Sequence, residues 1–97
     1  MFEVLRGDPR EVVIRLSGGF DEGAGAKLAR CIEELPKADR VVVDFSRLSS
    51  IEDVDVGAVG RRLAGHSLSI RGLGRHQLRL LRYCGVRLPA QRPDEED

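Results

Sequence analysis

Glu52, Asp53 and Asp55 put three carboxylates into four residues, immediately ahead of an apolar stripe that reads as a helix. A helix start exposes unpaired amides and the positive end of the dipole, so one or two carboxylates there act as caps. A third adds mutual repulsion, which makes the cluster a candidate surface for a basic partner. Asp44 follows Val41-Val42-Val43 and resembles in placement a phosphate-accepting aspartate at a strand end. The early strands offer no acidic pair for magnesium, and no suitable lysine follows the last strand. Ser46, Ser49 and Ser50 lie between Asp44 and the acidic cluster and could accept phosphate.

Other reactive residues do not assemble into a catalytic pattern. His66 and His76 are expected on different elements with no cysteine pair beside them, so a zinc site is not indicated. Gly18, Gly19, Gly23 and Gly25 match neither a P-loop nor a dinucleotide fingerprint. Nothing resembles a nucleophile elbow. The expectation is a protein that is not an enzyme and carries no cofactor or metal. Cys31 and Cys84 fall on apolar helix faces and read as buried thiols.

The elements that must hold these residues follow from periodicity and punctuation. Residues 2–6 and 11–16 read as strands joined by Gly7-Asp8-Pro9-Arg10, and Ser17-Gly18-Gly19 breaks the second. Leu28, Ile32 and Leu35 mark a helix over 23–35, which Pro36 stops. Residues 40–45 form a β-branched run of the kind buried on both faces of a sheet. A loop over 46–51 leads to a helix from about Asp53, with Val56, Val59, Gly60 and Leu63 inward and Gly65 at its end. A strand over 67–71 and a helix over 75–84 burying Leu78, Leu81 and Cys84 complete the order β-β-α-β-α-β-α. Strand-helix alternation implies right-handed parallel crossovers, and the opening hairpin adds an antiparallel edge strand. The expected fold is α/β, a four-stranded mixed sheet with helices packed against it.

Composition sets the scale. Ninety-seven residues suffice for one domain with an aliphatic core, since only Phe2, Phe20, Phe45 and Tyr83 are aromatic. No stretch reaches the roughly 20 apolar residues of a membrane span, and no signal peptide is evident, so membrane insertion is not expected and the cytoplasm is the expected location. Zero net charge conceals an acidic first half, a stretch over 56–93 whose only charged side chains are arginines, and the acidic tail Asp94-Glu95-Glu96-Asp97. Residues 89–97 read as disordered. The stripe Arg75, Arg79, Arg82 could grip phosphates, but no helix-turn-helix accompanies it and nucleic-acid binding is not expected.

Three segments resemble the STAS domains of bacterial anti-sigma-factor antagonists. Residues 13–21 are similar to the family's strand followed by Gly-x-x-Asp, with Asp21 as the aspartate. Residues 41–58 are similar to its Asp-Leu-Ser…Ile-Asp-Ser-Ser-Gly-Leu-Gly-Ala signature, and residues 72–86 to its closing helix. The likeness covers about residues 2–88, within an expected domain of residues 1–88. It implies a regulator that binds an anti-sigma factor or serine-kinase-like protein through Asp21, Ser49, Ser50, Glu52, Asp53, Val54, Asp55 and Val56, with Val54 and Val56 as apolar contacts. Asp53 stands where the family carries its phosphorylated serine, which implies a regulator that phosphorylation at that position cannot switch, held in a phosphorylated-like form. STAS domains also serve as accessory subunits of lipid-transport ATPases, a constitutive role that a missing serine suits.

Overall fold

The computed structural model describes residues 2–8, 10–36 and 39–89. The elements are β1 (Phe2–Asp8), β2 (Glu11–Gly19), α1 (Glu22–Glu34), β3 (Arg40–Ser50), α2 (Asp53–Arg62), β4 (Ser69–Arg71) and α3 (Arg75–Tyr83). They form an α/β fold around one mixed sheet of order β1-β2-β3-β4. β1 pairs antiparallel with β2, whereas β2–β3 and β3–β4 are parallel. This is the architecture expected from periodicity and turn chemistry. The expected disordered tail lies, apart from Pro89, outside the described residues.

Both crossovers step in the same direction across the sheet, and right-handed connections then set α1 and α2 on one face. A single apolar cluster shows the result. Val12, Ile14 and Leu16 of β2 and Val41, Val43 and Phe45 of β3 meet Leu28 and Ile32 of α1, Val56, Val59 and Leu63 of α2, and Leu78 and Leu81 of α3. The alternate residues of the strands point to the opposite face, which none of the three helices covers. Val42 and Asp44 are nonetheless only 1% and 6% exposed.

Several element boundaries differ from the sequence reading. β2 continues through Ser17-Gly18-Gly19, and β3 continues from Ser46 to Ser50, because the two extensions pair with each other as Ser17–Arg47, Gly18–Leu48 and Gly19–Ser50. A parallel ladder needs only main-chain groups, so polar residues and glycines can sustain it. Regular β4 pairing is limited to Ser69–Arg71, with one separate bridge between Ser67 and Arg87. α2 stops at Arg62, three residues before Gly65. Cys31 and Cys84 are free thiols, half-buried instead of buried. Among the described residues no helix is long and apolar enough to cross a membrane.

Candidate functional site

The longer β3 delivers the chain directly to the acidic start of α2. Ser49 Oγ donates to the Gly18 carbonyl at 3.0 Å and so ties the end of β3 to β2. Ser46 donates from both its amide, at 2.9 Å, and its hydroxyl, at 2.6 Å, to Asp44 Oδ1. Two of the three serines considered as phosphate acceptors are therefore engaged within the fold. Ser50 is exposed at the strand end. Asp44 sits in mid-strand, not at the strand end where a phosphate-accepting aspartate would be expected.

At the junction each carboxylate has its own setting. Asp55 Oδ2 accepts from the Glu52 amide at 3.2 Å, closing the first turn of α2. Asp53, its carboxylate 59% exposed, accepts from His76 Nε2 at 2.9 Å, which ties the starts of α2 and α3 together. Glu52 is exposed. Between them Val54 stands 71% exposed, the most exposed aliphatic side chain of the described large hydrophobics. Val56 is 0% exposed and belongs to the core, so its expected role as a partner contact is withdrawn. Two helical steps turn a side chain by about 200°, which places Val54 outward when Val56 points inward.

A groove of about 180 Å³ runs beside Val54, lined also by Asp55, Asp21, Phe20, Ala58 and the basic Arg62. The structure thus brings Asp21, 34 positions away in sequence from Asp55, to the same rim. Asp21 is also a cap: its Oδ1 accepts from the Ala24 amide at 2.9 Å. Asp21→Ala should cost about 1 kcal/mol, and Asp21→Ser should recover most of it, in urea unfolding followed by circular dichroism.

α2 can approach α3 because Gly60 lacks a side chain. A Cβ there would lie 2.9 Å from Cys84 Sγ and 3.3 Å from Leu81 Cδ2. That close crossing carries His76 to Asp53. Sequence reasoning left His76 out of the site because the pair spans 23 positions and no motif announces it; only the α2–α3 packing does.

No protein-family model matches the chain, and a search of curated proteins finds no match either.

Proposed function

We propose that this protein is a non-enzymatic interaction module of the anti-sigma-factor-antagonist type, docking a partner protein on the start of α2. Val54 carries the proposal: an exposed aliphatic side chain beside a groove, with the carboxylates of Glu52, Asp53, Asp55 and Asp21 nearby. Apolar centre and charged rim match the anatomy of a protein interface, where the buried anchor supplies affinity and rim charges steer approach. The complementary partner presents an apolar pocket ringed by arginine or lysine.

Asp53 supplies about one negative charge permanently, against roughly −1.5 to −2 for a phosphoserine. On this reading the module is not switched by phosphorylation at that position, and an anti-sigma kinase or a lipid-transport ATPase subunit engages it constitutively. The absence of a hydroxyl at position 53 favours the constitutive form of the proposal.

The test uses purified candidate partners of both kinds and titration calorimetry. Val54→Arg should weaken binding at least tenfold while leaving the unfolding midpoint nearly unchanged, since Val54 lies outside the core. Equal affinity of the variant and the parent protein would refute the docking site. With a serine-kinase partner and ATP, Asp53→Ser should become a phosphate acceptor and the parent chain should not.

A further inference from the structure

We infer that the acidic segment Asp94-Glu95-Glu96-Asp97 docks on the arginine face of α3 in the same chain and covers it. Every acidic side chain of the described residues lies before position 56, whereas residues 56–89 carry seven arginines and no acid. The ion pairs Arg6–Asp39, Arg15–Asp44 and Glu11–Arg40 draw on arginines of the first half. Arg79 and Arg87 have no ion-pair partner among the described residues.

The packing of α3 gathers this charge on one surface. Leu78 and Leu81 are fully buried and fix the inward side of the helix. Arg75, Arg79 and Arg82 recur at i, i+4 and i+7, so they share another side, and all three are exposed. The first turn of α3 has no acidic residue, and its N-cap, Gly74, makes no side-chain cap bond. The positive end of the helix therefore adds to the arginines instead of offsetting them. A surface of one sign concentrates a counter-charge upon it.

Residues 94–97 supply that counter-charge, being the only acids that follow Asp55 in the sequence. They are also within reach. The chain leaves α3 through Arg87, whose amide donates to the His66 carbonyl at 2.9 Å, and the described residues stop at Pro89. Extended chain spans at most about 3.5 Å per residue, so Asp94 can lie up to ~17 Å and Asp97 up to ~28 Å from Pro89. α3 has nine residues and is only about 14 Å long. A tether this short holds the four carboxylates near the arginines at an effective concentration in the millimolar range, so individually weak pairs form. The acidic rim at the start of α2 repels the same segment, which leaves that site open.

Proton–nitrogen NMR of the full chain, with poly-glutamate as a probe of the uncovered face, tests the inference. In the parent protein the amide signals of residues 75–83 should shift between about 20 mM and about 1 M salt, where the screening length falls to about 3 Å. Glu95→Gln with Glu96→Gln should move those signals toward their high-salt positions. The same double variant should bind poly-glutamate about fivefold more tightly than the parent at low salt. Glu33→Gln with Glu34→Gln, an equal change of net charge on exposed positions of α1, should stay within about twofold of the parent. Adding Arg75→Gln, Arg79→Gln and Arg82→Gln to the first double variant should abolish its gain. Circular dichroism verifies the fold of each variant. No gain, or equal gains from the two double variants, overturns the proposal, the second because net charge alone then sets the affinity. Signals of α3 indifferent to Glu95→Gln and Glu96→Gln, or a gain that survives loss of the three arginines, overturn it equally.

Discussion

Gly72→Ala should destabilise the protein by about 3–5 kcal/mol, a large part of the 5–15 kcal/mol that holds a domain of this kind together. Two effects add at this position. Its φ is +87°, a conformation that costs an L-residue roughly 1–2 kcal/mol. In addition, a Cβ at Gly72 would lie 2.6 Å from Ser46 Cα and 2.8 Å from the Phe45 carbonyl carbon, besides striking the Ser46 amide nitrogen. These are backbone atoms, which no rotamer change can move aside. The chain leaving β4 presses against the main chain of β3 here, and the turn must either open or push β3 away. Gly65→Ala separates the two causes. Its φ is +86°, nearly the same, but nothing lies within 4 Å of the added carbon. Gly65→Ala should therefore cost only about 1–2 kcal/mol. Urea unfolding of both variants measures the difference; equal losses would mean that conformation alone sets the cost and that the β3 contact yields freely.

The Gly72 contact also shows how far the sequence could be read. Gly72-Leu73-Gly74 announces a turn, and the turn is there, but its approach to Phe45 and Ser46 joins positions 26 or more residues apart. Element order and core were legible because they follow from repeating signals: β-branched runs, apolar residues at helical spacing, and proline or glycine between them. The extension of β3 was not, since Ser46, Arg47, Ser49 and Ser50 have loop chemistry and pair through the backbone. At the candidate site, the carboxylates and exposed Val54 could be read from residue type and helix start. The placement of Val56 was legible too, because helical rotation forbids Val54 and Val56 from sharing a face. The His76–Asp53 pair and the convergence of Asp21 on the same groove depend on how α1, α2 and α3 pack, which local spacing does not encode.

Asp44→Asn should cost about 1–3 kcal/mol near neutral pH, the range for disturbing a buried charged hydrogen bond. The carboxyl side chain is 9% exposed. Burial pushes its pKa upward, but the Ser46 hydroxyl and amide, followed by the Arg15 and Arg71 guanidinium groups, outweigh burial and hold the group below the usual aspartate range. A carboxyl depressed in the folded protein adds stability that is present in full above the unfolded value, near 3.9. That contribution is lost as pH falls through the folded value, because protonation then favours the unfolded chain. Asparagine has no such dependence. Its amide also loses the charge that faces Arg15 Nε at 3.6 Å, an N–H that is buried and without a hydrogen-bond acceptor among the described residues. The difference between parent and variant should consequently be widest from about pH 5 upward and narrow steadily below about pH 4. Urea unfolding of both proteins across pH 2.5–7 reads that difference directly. A gap independent of pH would assign the loss to packing and hydrogen-bond geometry, and would remove Asp44 from the charges that stabilise the sheet.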